Sequence, residues 1–222
     1  MREVIGQLLP FAVVAALSPI PIIAVVLMLS TPRARVNGPM FLLGWVASLA
    51  VLGAVLLTVA SGLDASDSDS QSGVSTLKLV LGVAVVVVAV RQWRKRPHGT
   101  EAAPMPKWMD AVDAFSPAKA FGAGIVLVAL NPKNLIITIA AAAVVSQSGL
   151  SGADQAIAYA VYAVIATVGV AVPLVLFFAM GERAAAPLAS LKTWMAAHNA
   201  AIMSVICLVI GAKLIGDALP GI

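Results

Sequence analysis

Charge is scarce in this chain. Only 11% of its 222 residues are Asp, Glu, Lys or Arg, against 61% hydrophobic, where an average soluble domain carries about 25% charged residues. No soluble fold of this length needs so much apolar surface, so the chain reads as an all-α integral membrane protein. Its single cysteine, Cys207, excludes an intrachain disulfide, a paired-cysteine redox carrier and a cysteine-based metal cluster. The two histidines, His98 and His198, fall between apolar runs without a matching Cys or Ser constellation, and no HExxH, Walker or GxSxG pattern occurs. No enzyme activity, cofactor or metal is expected.

Acidic residues are also missing where they would matter. Glu3, Asp64, Asp67, Asp69, Glu101, Asp110, Asp113, Asp154, Glu182 and Asp217 all lie in loops or at the ends of apolar runs. A divalent-cation exporter needs oxygen ligands at depth, and a carboxylate proton relay needs them within the spans. The net charge of +4 does not point to nucleic acid, because the Lys and Arg residues cluster between spans with no basic stripe interleaved with aromatics.

Hydropathy predicts six spans: Val4–Ser30, Pro39–Gly62, Val74–Gln92, Lys119–Ser146, Asp154–Met180 and Ala200–Leu219. Met1–Leu17 resembles a signal peptide, but the apolar run continues to Leu29 and Glu3 interrupts the charged start, so an uncleaved span is expected. Three connections are basic: Thr31–Gly38 holds Arg33 and Arg35, Arg91–Pro117 holds Arg91, Arg94, Lys95, Arg96 and Lys107, and Gly181–Asn199 holds Arg183 and Lys192. Leu63–Gly73 and Gln147–Ala153 hold neither Lys nor Arg. The positive-inside rule then places the basic loops in the cytoplasm and both termini outside a plasma membrane. Within the longest loop, Pro104–Phe115 sets Trp108, Val112 and Phe115 at helical spacing, predicting a short interfacial helix. Leu188, Leu191 and Met195 repeat that spacing.

Against this background Lys133 stands out. It lies in Asn131-Pro132-Lys133-Asn134, near the middle of the fourth span and about 14 residues from either end, or about 20 Å. A cation at that depth costs roughly 2.5–3.5 kcal/mol on insertion scales, and a proline there removes a backbone hydrogen bond and should break the helix. Two costly features at one depth mark a candidate site. Snorkelling to an interface, or bonding to carbonyls freed by the proline, are the structural alternatives.

The first span carries a related interruption, Leu17-Ser18-Pro19-Ile20-Pro21, which aligns with Leu130-Asn131-Pro132-Lys133-Asn134. Leu79-Val80-Leu81-Gly82 likewise aligns with Leu208-Val209-Ile210-Gly211. The chain is expected to be a single transmembrane domain over residues 1–222: repeat 1 over about 1–92, a basic loop over about 93–117, and repeat 2 over about 118–222. With three spans in each half, the second must enter from the opposite side, an inverted-topology pair with helices 1 and 4 broken. Ser18 and Asn131 each precede the proline that starts a half-helix and are candidate caps. Two half-helix N-termini and Lys133 would then welcome an anionic group. The candidate substrate-binding residues are Ser18, Pro19, Pro21, Asn131, Pro132, Lys133 and Asn134.

Other polar residues have simpler explanations. Lys213 has Asp217 at i+4, and Lys78 lies near a span end. Thr138, Tyr159, Tyr162 and Thr167 either line a polar path or make ordinary helix contacts. Gly44 with Trp45, and Gly122 with Gly124, read as packing.

The two proline motifs and six spans in about 220 residues resemble the LysE superfamily of exporters. Asn131-Pro132-Lys133-Asn134-Leu135, the Pro104–Trp108 loop and the segment Ile210–Asp217 resemble one branch of it, the actinobacterial GAP family of glycopeptidolipid- and sulfolipid-addressing proteins. The resemblance spans nearly the whole chain and implies a role in exporting cell-envelope glycolipid. Ser18-Pro19-Ile20-Pro21 departs from the Gly-rich version associated with amino-acid exporters. The leading expectation is a flippase-like exporter of an anionic or polar-headed lipid. The alternatives are an exporter of amino acids or small metabolites, and a scaffold that holds a lipid synthase or larger transporter through its basic loop. A homodimer is an open possibility, and no nucleic-acid partner is expected.

Overall fold

Prolines 10, 39 and 173 lie inside continuous helices, whereas Pro19 and Pro132 each start a new one. The computed structural model describes residues 1–63, 70–94, 112 and 114–219, except the side chains at 61–63, 70–74, 77 and 78. Among the described residues the regular structure is all helical. The elements are α1 (Arg2–Ala16), α2 (Pro19–Leu29), α3 (Ala34–Leu63), α4 (Ser70–Arg94), α5 (Pro117–Ala129), α6 (Pro132–Ser146), α7 (Gly152–Met180) and α8 (Ala185–Ala218). The residue before the proline separates the two outcomes. Ser18 (φ −72°, ψ 109°) and Asn131 (φ −81°, ψ 111°) are extended, the conformation a following proline favours. Both carry polar side chains with a partner: Ser18 Oγ donates to Asn134 across the chain, and Asn131 Oδ1 accepts from Lys133 N–H at the start of the helix it caps. The bends are 48° between α1 and α2 and 63° between α5 and α6.

Ala34–Ala60 and the run Gly152–Ala218 are long and apolar enough to cross a membrane, and each bent pair passes the same test when taken as one span. The chain is therefore a helical membrane protein.

Close backbone approaches set the packing. A Cβ on Gly44 would strike the Phe121 carbonyl, and one on Gly124 the Phe41 carbonyl. Ser48 Oγ donates to the Ile125 carbonyl at 3.4 Å and Asn37 Nδ2 to the Phe115 carbonyl at 3.0 Å, so α3 and α5 run parallel. Tyr159 Oη donates to the Leu49 carbonyl, and Leu174 packs on Gly38, so α7 runs against α3. Trp45 and Phe41 are fully buried in this layer. Helices α4 and α8 cross at facing glycines: Gly82 meets Ile215 and Gly211, while Gly211 meets Val86 and Gly82. Ser204 Oγ extends that antiparallel seam to the Ala89 carbonyl at 2.9 Å.

Two expectations need correction. The last helix begins at Ala185, not Ala200, and its 34 residues extend about 50 Å. What read as a basic loop from Gly181 to Asn199 is a 3-10 turn, Gly181–Ala184, followed by the first half of α8. Gly181, at φ 56°, supplies the left-handed backbone that ends α7. Leu188, Leu191 and Met195 do share a face, but it packs inward, and Met195 and Leu191 close on Ile22, Ile23 and Ile20 of α2. Of the Pro104–Phe115 segment only Val112, Ala114 and Phe115 are described, so the interfacial helix lies outside the described residues, as do the Lys78 side chain and most of Leu63–Gly73.

Candidate functional site

A broken helix leaves carbonyls without their i+4 donors, and side chains from the first turn of α6 serve both breaks. In an unbroken first span the Val14 carbonyl would accept from Ser18 N–H. That N–H bonds the Ala15 carbonyl instead, at 3.3 Å, and the Val14 carbonyl accepts from Lys133 Nζ at 3.0 Å. In the fourth span the Leu127 carbonyl loses Asn131 N–H and accepts from Asn134 Nδ2 at 2.8 Å. The other end of that amide, Asn134 Oδ1, accepts from Ser18 Oγ at 2.8 Å. One asparagine therefore ties the two breaks together.

Burial decides among the readings of Lys133. It is 7% exposed, with Ser18 at 1% and Asn134 at 2%, so its ammonium does not reach water along the surface. It bonds a carbonyl freed by a break, one of the alternatives open from sequence. Asn131 caps α6 as expected, its Oδ1 accepting from Lys133 N–H at 3.2 Å. Ser18 occupies the matching position before α2 but makes no cap bond, because its hydroxyl is committed to Asn134. Pro19 and Pro21 are buried and Pro132 is exposed. Since Pro19 and Pro21 carry no N–H, Ile20 alone offers a main-chain donor ahead of the Ile22 bond to the Ser18 carbonyl.

A cavity of about 30 Å³ adjoins Lys133 between α4, α6 and α8, walled by Val85, Ile136, Ile206 and Cys207 among others. That volume is too small for a lipid headgroup. One turn beyond Asn134, Thr138 Oγ1 and Tyr162 Oη lie 3.1 Å apart, and the Tyr162 and Tyr159 rings are 5.4 Å apart. Thr167 turns back on its own helix, to the Ala163 carbonyl. Lys213 pairs with Asp217, as expected, and also sits 5.2 Å over the Phe11 ring.

Sequence reasoning missed the carbonyls of Val14 and Leu127, since a main-chain acceptor carries no residue-type signal. It also missed that Cys207 shares a cavity wall with Lys133. Helical periodicity places Cys207 on the face of Ser204 and Gly211, which would have marked it as inward.

Helices and site together define a polytopic α-helical membrane protein whose two interrupted helices are pinned by a buried lysine and a buried asparagine. A family model described as Sap, sulfolipid-1-addressing protein, matches residues 8–219, and the chain belongs to that family. The match covers both breaks and bears out the resemblance to the sulfolipid-addressing family read from the residues. No curated protein and no solved structure matches the chain.

Proposed function

We propose that this protein takes part in exporting an anionic or polar-headed lipid of the cell envelope across the plasma membrane, by opening and closing the paired breaks. The observation that carries this reading is the contact of one α6 turn with both breaks, through Lys133 to Val14 and Asn134 to Ser18. A buried ammonium spent only on a carbonyl is an expensive structural device; a headgroup anion taking the carbonyl's place gives it a use. The arrangement described here is then the closed state, with Asn131 and Pro132 holding the α6 start, and Ser18, Pro19 and Pro21 the α2 start. The family's printed description, which concerns a sulfolipid, supports the substrate class.

Two three-span halves of opposite direction account for the packing. Helix α3 runs against α7, and α4 runs against α8. The exchange of Gly82–Ile215 for Gly211–Val86 is what a two-fold relation between halves produces, and Ser18 and Asn131 share one backbone conformation. Rocking of such halves about a midplane site is a general route to alternating access. The basic connections set the cytoplasmic side and leave both termini outside.

The test is lipid analysis of a deletion strain, separating inner and surface pools. The reading expects one anionic glycolipid to accumulate inside and fall at the surface, with restoration by the wild-type chain. Unchanged lipid pools with altered tolerance to toxic amino-acid analogues would instead make it a small-metabolite exporter.

A further inference from the structure

The start of α5 carries a feature that the paired breaks do not use. A trough of about 280 Å³ is lined by Phe115, Lys119, Ala123, Val126 and Leu127. Lys119, Ala123 and Val126 follow at i, i+4 and i+7, one face of a helix. The walls are apolar except at one end, where Lys119 is exposed. The single ion pair among the described residues is Lys213–Asp217, so no described carboxylate neutralises Lys119. The turn bearing the exposed residues Arg33 and Arg35 is fastened beside the same mouth, because Asn37 at the start of α3 donates to the Phe115 carbonyl at 3.0 Å.

From Lys119 to Leu127 the trough climbs about 12 Å, nearly half of a hydrocarbon layer about 30 Å thick. It ends at the α5–α6 break, where the Leu127 carbonyl is held by Asn134. Leu130, the C-cap of α5 at the break, is 72% exposed, so the apolar surface reaches the break itself. A cationic mouth above an apolar wall of this length matches one kind of ligand: an amphiphile with an anionic head and a hydrocarbon chain. Free phosphate would leave the wall unused, and a neutral lipid would leave the cations unused.

We propose that this trough binds one anionic lipid of the leaflet facing the basic connections, its headgroup on Lys119 and its chain along Ala123 and Val126 to the break. The proposal deepens the export reading and rests on it for the site's role, as the place where a lipid waits before the breaks part.

The experiment is native mass spectrometry of the purified full chain with phosphatidylglycerol or phosphatidylcholine added. Wild type and Lys213→Gln, which removes the local pair with Asp217, should retain phosphatidylglycerol, at least about tenfold more than phosphatidylcholine. Lys119→Gln should lose that preference, and Ala123→Phe, which fills the trough, should lose the bound lipid. If Ala123→Phe elutes aggregated, Val126→Trp at the exposed wall replaces it with the same expectation. Equal retention of both lipids by wild type, unchanged phosphatidylglycerol binding by Lys119→Gln, or full displacement by equimolar inorganic phosphate would overturn the proposal. The two readings fail separately. Loss of lipid by Lys119→Gln with normal surface glycolipid in cells keeps the site and removes its export role, whereas normal binding by Lys119→Gln with export lost in Lys133→Met does the reverse.

Discussion

Ser18 and Asn134, 116 positions apart, share a 2.8 Å hydrogen bond at the point where two helices break. Because Asn134 also holds the Leu127 carbonyl, its side chain joins the first break to the second through both ends of one amide. That gives the breaks a common latch, and the latch makes unequal predictions for its two partners.

Asn134→Leu removes a donor and an acceptor at once, leaving the Ser18 hydroxyl and the Leu127 carbonyl buried without partners. The expected loss is about 1–3 kcal/mol, read as a melting temperature in detergent lower by roughly 3–10 °C. Ser18→Ala orphans a single group, the Asn134 Oδ1 acceptor, and should cost less than Asn134→Leu, about 1 kcal/mol. Equal melting temperatures for Asn134→Leu and wild type would show that the latch does not hold the breaks.

The α4–α8 crossing depends on the absence of side chains at two facing positions. A Cβ on Gly211 would lie 2.9 Å from the Gly82 carbonyl oxygen and 2.6 Å from a Val86 methyl. Gly211→Ala should cost about 1–3 kcal/mol by overpacking, while Gly216→Ala, whose Cβ meets nothing within 4 Å, should leave the melting temperature within about 2 °C of wild type. Comparable shifts for the two variants would contradict the proposed close seam.

Lys213 and Lys133 are both span lysines with opposite expectations. Lys213 is partly exposed and pairs with Asp217 one turn away, so Lys213→Gln removes a local pair worth about 0.2–1 kcal/mol. Surface glycolipid should stay at the wild-type level, as measured by surface extraction. A loss of export on Lys213→Gln would move the functional cation away from the breaks.

The fold was legible wherever local chemistry decides it. Long apolar runs marked helices long and apolar enough to cross a membrane, among them Ala34–Ala60 and the two bent pairs, and Pro19 and Pro132 marked the two bends. Pro10, Pro39 and Pro173 show the limit of that signal, since each sits in a helix that continues. The extended backbone that separates the cases belongs to Ser18 and Asn131, whose side chains have partners to find. Gly181–Asn199 read as a loop because its charges and polar residues lower the hydropathy, yet the inward face of Leu188, Leu191 and Met195 against α2 keeps most of it helical. In the site, the burial of Lys133 was readable from its distance to both ends of an apolar run. Its partner was not, because the Val14 carbonyl looks like any other in sequence. Asn134 read as one more polar neighbour of Lys133, since its role depends on the approach of a helix far away in the chain.

The most direct test is complementation of a deletion strain with Lys133→Met, at membrane levels equal to wild type, with surface anionic glycolipid as the readout. The account predicts the level of the deletion strain, because the methionine fills the space but offers no charge to a headgroup. Wild-type surface glycolipid from that variant would contradict it, and the buried ammonium would then serve only the Val14 carbonyl.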